Sequence, residues 1–291
     1  MLIIRQFVPN YGIDDRFFPR NLLENPRKLN EYRANLAQSI IKSHKKPENL
    51  VTNHLEIRVV ASNRGEFYLL QTIGFILEQQ PIGAFNLSIC NVEIDIFDDL
   101  AQFEQISIPI LSINNGTKKA LILDETIRKE TIDYWHCLAQ KSRSRYILLI
   151  EDDSIIIGQF TELINSLIRH LDYADHIDYV KLYHPIKLRK LPSYFLFPCQ
   201  LRYYITGSAY ISYPESCCTP AVIFRTSQIP KMIEHFNKQP SYAGHAKDHI
   251  LDDSPFIGRQ SDLNYVIHIG SFSSIRRRTV QLSDLRDFGI A

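Results

Sequence analysis

The sequence lacks several features that identify common classes of protein. No window of 18 apolar residues occurs among its 291 residues, so no transmembrane helix is predicted. Its 33 Lys and Arg residues balance 32 Asp and Glu residues, for a net charge of +1 at pH 7. This balance gives no electrostatic argument for a nucleic-acid partner. The single tight basic run, Arg276-Arg277-Arg278, fits a solvated surface turn slightly better than a phosphate site.

Cysteine is scarce, and its pattern does not indicate a disulfide scaffold or a zinc site. An odd number of cysteines allows two disulfides and one free thiol in an oxidising compartment, or no disulfide in a reducing one. Pairing of the adjacent Cys217 and Cys218 with each other is disfavoured, because a vicinal bridge strains the backbone. The five positions are Cys90, Cys137, Cys199, Cys217 and Cys218.

Several sequence signatures are also missing. No GxGxxG or P-loop glycine pattern occurs, so neither a dinucleotide site nor an ATP-hydrolysing site is indicated. No Gly-x-Ser-x-Gly elbow occurs, so serine-hydrolase chemistry has no support. The N-terminal stretch lacks the layout of a secretory signal peptide. Two sequons, at Asn86 and Asn115, give weak support for a lumenal protein.

Apolar runs that alternate with amphipathic stretches predict an α/β domain with a mostly parallel sheet and helices on both faces. Tyr146 to Ile150 is apolar or aromatic throughout, which is typical of a strand buried on both faces. Pro109 limits a short strand at 106–113 to a sheet edge. The other predicted strands are 55–61, 87–92, 179–183, 221–224 and 265–267, and the predicted helices are 27–43, 66–79, 125–141, 160–171 and 228–238.

The same pattern divides the chain into three parts. Residues 1–50 form an N-terminal arm and helix, residues 51–278 form the α/β domain, and residues 279–291 form a tail. Residues 186–213 are rich in aromatics and broken by Pro192 and Pro198, which favours two short strands or a hairpin. We expect this stretch and the loops after it to form a small C-terminal extension of the domain, on the side that would face an acceptor substrate.

The stretch Glu151-Asp152-Asp153 follows the predicted buried strand without a spacer. Ligands of open α/β sheets bind outside the carboxyl ends of the strands. Carboxylates this close raise each other's pKa unless a positive charge lies among them, and a divalent cation is the simplest answer. In an extended segment Glu151 and Asp153 share a face and Asp152 points the other way. The alternative is a set of solvated turn and cap residues.

Three further residues are candidates for chemistry. His268 follows a predicted strand, and it either completes a metal shell or is a hydrogen-bonded structural histidine. Asp248 is either a general base for an acceptor hydroxyl or a helix N-terminal cap. Arg64 follows the first strand, where it meets a nucleotide phosphate or base, or simply pairs with Glu66.

Seven short motifs occur in an order that resembles the post-GPI-attachment GalNAc-transferase family of the Golgi. This family is distantly similar to N-acetylglucosaminyltransferase IV, which also has a His-Ile-Gly…Ser-Ser ending. The resemblance covers roughly residues 50 to 278. The motifs are Ser62-Asn63-Arg64, Cys90-Asn91-Val92-Glu93, Glu151-Asp152-Asp153, Lys181-Leu182-Tyr183-His184-Pro185, Cys217-Cys218-Thr219-Pro220-Ala221, Lys247-Asp248 and His268-Ile269-Gly270-x-Phe272-Ser273-Ser274.

The resemblance implies a GT-A glycosyltransferase fold and a metal-dependent, inverting transfer from a UDP-sugar. In the family, GalNAc is added in β linkage to the first mannose of a GPI-anchor glycan. The resemblance implies that Asp153 is the main ligand of Mn²⁺ or Mg²⁺, with His268 near it, and that Asp248 is the base. The donor-binding residues that it implies are Ser62, Arg64, Glu151, Asp152, Lys181 and His184, with Glu151 the nearer to the ribose.

The sequence departs from the family in one respect. Family members carry an N-terminal membrane anchor and a transmembrane hairpin after the Lys-Leu-Tyr-His-Pro motif, and the resemblance therefore implies a Golgi membrane or lumenal location. Here no anchor is visible, and residues 186–213 are too short and polar to cross a bilayer twice. Two alternatives to the GPI transferase stay open: an inactive GT-A-like protein that binds a nucleotide or sugar, and an N-acetylglucosaminyltransferase that acts on N-glycans.

Overall fold

The structure of the chain is a computed structural model, and it describes residues 16–44, 54–79, 85–103, 106, 108–113, 122–183, 211–214 and 218–270, with the backbone of 272–273 and 278–279. Its central element is an eight-stranded sheet with the strand order β3-β2-β1-β4-β8-β6-β9-β7. Two further pairs, β5 with β10 and β11 with β12, are antiparallel. The strands are β1 (Leu55–Ala61), β2 (Asn86–Asn91), β3 (Ile110–Ser112), β4 (Tyr146–Glu151), β5 (Ser154–Ile156), β6 (Tyr179–Lys181), β7 (Ile211–Ser212), β8 (Ala221–Arg225), β9 (Gly258–Ser261), β10 (Val266–His268), β11 (Phe272–Ser273) and β12 (Arg278–Thr279).

The predicted α/β class and the mostly parallel sheet are confirmed. Within the large sheet, β8 and β7 run antiparallel to their neighbours, and the other six strands share one direction. Helices flank the sheet. They are α1 (Pro26–Ser43), α2 (Tyr68–Gln79), α3 (Asp98–Ala101), α4 (Leu123–Ala139), α5 (Phe160–Tyr173), α6 (Ile229–Phe236) and α7 (Lys247–Asp252).

Strand β4 is buried on both faces, as its sequence predicted. Tyr146, Leu148 and Ile150 lie in the core that α1, α2 and α5 close, whereas Ile147 and Leu149 lie in the core that α4, α6 and α7 close. Successive side chains of a strand point to opposite faces, so a strand between two cores needs an apolar residue at every position. The carboxylates that follow β4 therefore emerge at the rim of both cores.

The predicted helix at 66–79 begins two residues later, at Tyr68. Phe67 has a φ of 57°, in the left-handed region, and a right-handed helix cannot include it. Gly74 lies inside this helix for a packing reason. A Cβ at Gly74 would lie 2.8 Å from Ala37 Cβ on α1, so the glycine lets the two helices approach closely.

The sequence pattern did not predict some of the strands that are short or polar. Strand β9 has the sequence Gly-Arg-Gln-Ser, which contains no apolar side chain, yet it pairs in parallel with β6. The predicted hairpin at 186–213 lies mostly outside the described residues. Of that stretch, Ile211 and Ser212 form β7 at the sheet edge. Among the described helices, none combines the length and the apolar character that a membrane crossing requires.

A disulfide joins Cys90 on β2 to Cys137 on α4, and Cys218 is also disulfide-bonded. The first bridge closes a segment with a sequence separation of 47 residues.

We expect the double substitution Cys90→Ala/Cys137→Ala to lower the free energy of unfolding by about 4 kcal/mol, because the bridge restricts the unfolded chain. Urea unfolding measures this. Loss of less than about 1 kcal/mol would show that the bridge contributes little. Reductant is avoided because it would also break the bridge made by Cys218.

Candidate functional site

The acidic triplet lies at the carboxyl end of β4, where the chain turns before β5. Asp152 N donates a hydrogen bond to Val60 O on β1 at 3.1 Å. Thr72 Oγ1 on α2 donates to Asp152 O at 2.6 Å and lies 3.1 Å from Ser154 O. The turn is thus held from β1 and from α2, so the directions of the three carboxylates are set by the fold.

Asp152 is tied to the loop that follows β1. Its Oδ2 accepts hydrogen bonds from Ser62 N at 2.8 Å and from Ser62 Oγ at 3.1 Å, and its Oδ1 lies 3.1 Å from Arg64 Nε. Burial raises the pKa of the Asp152 carboxyl, although Arg64 and the two Ser62 donors oppose this effect. Asp152 therefore anchors the residues that lie between β1 and α2.

The predicted arrangement of the three acids is found, since Glu151 and Asp153 offer atoms within 4.8 Å of each other and Asp152 is not part of that group. The chain turns at Asp152, and Arg64 contacts both Asp152 and Asp153. The alternative in which Arg64 simply pairs with Glu66 is not observed among the described contacts; the guanidinium lies between the two aspartates. A positive charge among these carboxylates was expected, and the protein supplies one itself.

Asp153 is buried and is contacted by two basic side chains. Its Oδ2 pairs with Arg64 Nη1 and lies 3.2 Å from His268 Nε2. Burial raises the pKa of the Asp153 carboxyl, but Arg64 and His268 outweigh burial and hold it below its usual range. Asp153 Oδ1 is buried without a hydrogen-bond partner among the described residues. Asp153 is therefore ionised, with one oxygen still available.

His268 reaches the triplet because β10 pairs with β5. In this pairing His268 lies opposite Ser154, and Ile269 N donates to Asp153 O at 2.8 Å. Burial of the imidazole lowers the pKa of His268, but the nearby carboxylates of Asp153 and Glu151 raise it by more, so the net shift of the pKa is upward. Two segments more than 100 residues apart in the sequence thus form one wall of the site.

Glu151 is held by Lys247 at the start of α7. Lys247 Nζ lies 3.3 Å from Glu151 Oε1, pairs with Glu130 on α4, and lies 5.5 Å from the centre of the Tyr134 ring. Burial lowers the pKa of Lys247, but Glu130 and Glu151 outweigh burial and raise it above its usual range. Lys247 is therefore charged and connects α4, β4 and α7.

This bridge gives a prediction for stability. We expect Lys247→Met to lower the free energy of unfolding by about 3 kcal/mol, because it leaves Glu151 and Glu130 without their shared cation. Chemical denaturation measures the loss. Lys238→Met is the matched control: Lys238 forms an exposed pair with Glu234, and its loss should change stability by less than about 0.5 kcal/mol. Equal effects of the two substitutions would contradict the bridging role.

Glu151, Asp153 and His268 can together hold a metal ion. Each offers one ligand atom, and these atoms lie within 4.8 Å of one another. Two carboxylates and an imidazole suit Mn²⁺, and carboxylates suit Mg²⁺. Asp153 Oδ1, which is buried and has no hydrogen-bond partner in the described part of the chain, is the kind of atom that a cation would satisfy. The residues therefore fit a divalent cation.

Gly270 lies against Asp153 and leaves no space for a side chain. A Cβ built on Gly270 would overlap Asp153 Oδ2 and would lie 3.3 Å from His268 Cε1. Gly270 belongs to the His-Ile-Gly motif, and the motif was the only signal for it in the sequence. Its role is to let the backbone after β10 pass directly beside the carboxylate.

Asp248 lies in the first turn of α7, but it is not the N-cap. The N-cap is Ala246, and Asp248 is the helix N-terminal carboxylate of the alternative interpretation without occupying the N-cap position itself. Asp248 Oδ2 accepts a hydrogen bond from Cys218 N at 3.3 Å, and Oδ1 lies 3.1 Å from His249 Nδ1. Burial raises the pKa of Asp248, but His249 and Cys218 N outweigh burial and lower it. Asp248 is therefore ionised, as a base must be.

Of the two predicted donor-binding residues in the Lys-Leu-Tyr-His-Pro motif, the structure describes Lys181 but not His184. Lys181 is completely buried, and its Nζ lies 2.5 Å from Asp252 Oδ1 on α7, one helical turn after Asp248. Burial lowers the pKa of the Lys181 ammonium, although Asp252 and Asp248 oppose this. Lys181 thus holds α7 against β6, and its contact with a donor stays a prediction. His184 lies outside the described residues.

A cleft of about 540 Å³ opens beside the loop that holds Arg64. It lies at the carboxyl ends of β1 and β2, between Asn63 and Gly65 on one side and the segment from Glu93 to Asp99 on the other. Its apolar lining includes Phe67, Ile94 and Ile96, each about half exposed. Asn63 N donates to Glu93 Oε1 at 3.1 Å, which joins the two walls. A flat, partly apolar ligand fits such a cleft.

The sequence identified the three acids but not the residues that contact them and hold them in place. Glu130, Thr72 and Gly270 were not predicted as site residues, and Lys247 was noted only as a neighbour of Asp248. Glu130 and Thr72 lie on helices whose apolar pattern hides single polar contacts to a distant loop. A structure is needed to identify them.

Comparison with known proteins agrees with the motif order. Residues 55–197, just under half of the chain, match the family described as GPI-N-acetylgalactosamine transferase PGAP4. The match confirms the resemblance over that stretch, which contains four of the seven motifs. The chain is also similar to the crystal structure of S. aureus TarS 1-349, at 13% identity and a TM-score of 0.43. That similarity covers 73% of this chain and 59% of that chain, less than two thirds of its length.

Proposed function

We propose that the chain, whose residues 55–197 match the family described as GPI-N-acetylgalactosamine transferase, transfers GalNAc from UDP-GalNAc to a mannose of a GPI-anchor glycan. The observation that carries this proposal is the convergence of Glu151, Asp153 and His268 at the carboxyl end of the central strand. The GT-A fold that the resemblance implies is an α/β fold of this kind. The sugar and the acceptor rest on the family name, and the site chemistry rests on the geometry.

The donor diphosphate would lie against the acidic triplet. Glu151, Asp153 and His268 would hold Mn²⁺ or Mg²⁺, which when bound supplies a Lewis acid that stabilises the leaving diphosphate. The loop after β1 places the cationic side chain of Arg64 beside these acids. There Arg64 would pair with the phosphate oxygens of the donor. Asp152 would act indirectly, since it holds Ser62 and Arg64 in place.

The nucleoside would occupy the cleft at the ends of β1 and β2. Phe67, Ile94 and Ile96 offer apolar surface for the faces of the base. Backbone groups and carboxylates of the cleft, such as that of Asp95, can accept hydrogen bonds from the base or the ribose. Because Asn63 lines this cleft and Arg64 follows it directly, a nucleotide in the cleft would extend its phosphates toward Asp153.

Asp248 would be the base for the acceptor. Its lowered pKa keeps the carboxylate ionised at neutral pH, so it can take the proton of an acceptor hydroxyl. The acceptor oxygen then bonds to the anomeric carbon while the bond from that carbon to the diphosphate breaks, which inverts the configuration. Lys181 and Asp252 hold α7 in place, and Lys247 joins the same helix to Glu151.

The proposed function and the disulfide of this protein bear on the cellular compartment in which it acts. We propose that the protein acts in the Golgi lumen, because disulfides such as Cys90–Cys137 persist in oxidising compartments. A tagged chain located by protease protection in sealed Golgi vesicles would test this. Degradation of the tag without detergent would argue against a lumenal domain.

The proposed function is tested by a donor screen. Purified protein is incubated with Mn²⁺ and each of several UDP-sugars, with and without a mannose-containing GPI glycan, and released UDP is measured. The expected result is release from UDP-GalNAc that increases with the glycan and stops with a chelator. Binding of UDP without any turnover would favour the inactive binding protein, and absence of UDP binding by calorimetry would contradict both functions.

A further inference from the structure

Arg64 lies beside the position that a metal ion held by Asp153 would use. Its guanidinium pairs through Nη1 with Asp153 Oδ2 and lies, through Nε, 3.1 Å from Asp152 Oδ1. Asp153 Oδ2 is also the oxygen that faces His268 Nε2. A cation bound by Asp153 and His268 would therefore lie close to the guanidinium, and like charges at this distance repel each other strongly in a buried site.

The surroundings of Arg64 allow it to leave this position. Its side chain is 15% exposed, whereas the carboxylates it contacts are almost completely buried. The loop that carries it, Ser62 to Phe67, contains two residues with left-handed backbone conformations, Gly65 at φ 71° and Phe67 at φ 57°. Asn63 and Gly65, on either side of Arg64, line the cleft. The aspartates are fixed by the fold, and the arginine is the member of the pair that borders open space.

We infer that Arg64 and the divalent cation compete for Asp153, and that this competition makes binding of the cation depend on binding of the nucleotide diphosphate. This inference rests on the proposed function, since it concerns the same donor site. Without a nucleotide, the guanidinium neutralises Asp153 and weakens cation binding. With a nucleotide, the phosphate oxygens give the guanidinium another anionic partner, so the carboxylate is released to the cation.

The competition predicts opposite effects of one substitution on two ligands. We expect Arg64→Met to bind Mn²⁺ about tenfold more tightly than the wild type when no nucleotide is present, a coupling within the range usual for linked sites. We expect UDP to bind more weakly, and the increase in Mn²⁺ affinity that UDP causes in the wild type to be largely lost. Electron paramagnetic resonance of free Mn²⁺, with and without UDP, measures each affinity directly.

The matched control is Arg145→Met. Arg145 also pairs with an aspartate, Asp172, but lies just before the opposite end of β4, about 20 Å from the triplet at strand spacing. This substitution removes the same charge and should leave both affinities unchanged. If Arg145→Met tightens Mn²⁺ binding as much as Arg64→Met does, the effect is one of net charge and the inference is wrong.

A second variant keeps the test decisive if Arg64→Met does not fold. Arg64→Lys retains the charge but not the planar fork that reaches both aspartates, so we expect a smaller increase in Mn²⁺ affinity. Mn²⁺ affinity equal to or below the wild-type value in the variants that fold would overturn the inference. That failure differs from failure of the proposed function, in which the wild type itself binds no UDP, with or without Mn²⁺.

Discussion

Substitution of Asp153 by Asn should reduce kcat/KM for transfer by more than about 100-fold. Loss of a residue that only supports a metal ligand costs about 10- to 100-fold, and Asp153 is placed to be a ligand itself. The amide keeps the shape of the side chain but removes the charge that pairs with Arg64 and His268. Steady-state kinetics with released UDP, together with Mn²⁺ binding, measures the effect.

The control for Asp153→Asn is Asp172→Asn. Asp172 is an aspartate paired with an arginine, Arg145, just beyond the other end of β4. Its substitution should leave kcat/KM within about threefold of the wild type, because it touches no group of the site. Activity of Asp153→Asn within the same range would mean that the triplet does not carry the chemistry.

Substitution of Gly270 by Ala should lower activity by about 100-fold, since a displacement of about 1 Å in an active site can have an effect of this size. The added Cβ would overlap Asp153 Oδ2, and the backbone beside it is held by the β5–β10 pairing. The carboxylate must therefore move. We expect KM for the donor and kcat both to change, because the carboxylate contributes to donor binding and to stabilisation of the leaving group.

Gly158→Ala is the matched control for this substitution. Apart from Gly158 and its two chain neighbours, no described residue has an atom within 4 Å of a Cβ added at Gly158, so the new methyl group makes no close contact with them. Thermal unfolding is measured for both variants, to separate displacement of Asp153 from loss of the fold. If Gly270→Ala is folded and as active as Gly158→Ala, then the close approach of Gly270 to Asp153 has no functional role.

The elements that the sequence predicted correctly are those with a strong periodic signal. Strand β4 needs an apolar side chain at every position because it separates two cores, and helix α5 buries one face at helical spacing. Strand β9 shows the limit of this reasoning. It pairs with β6 in the interior of the sheet, although its own side chains show no apolar alternation.

The amino-acid sequence alone is enough to predict the class of fold, the position of three acids at the end of a buried strand, and the family that the order of the motifs resembles. These depend on local patterns and on motif order, which a chain displays before it folds. The identity of the cations that neutralise these acids, in contrast, depends on how the chain folds. Arg64 and His268 contact Asp153, and Lys247 contacts Glu151, because a loop, a strand and a helix start that are separated by up to about 200 residues meet at one edge of the sheet. Contacts of that sequence separation depend on the pairing of strands and the docking of helices, and no local pattern encodes them.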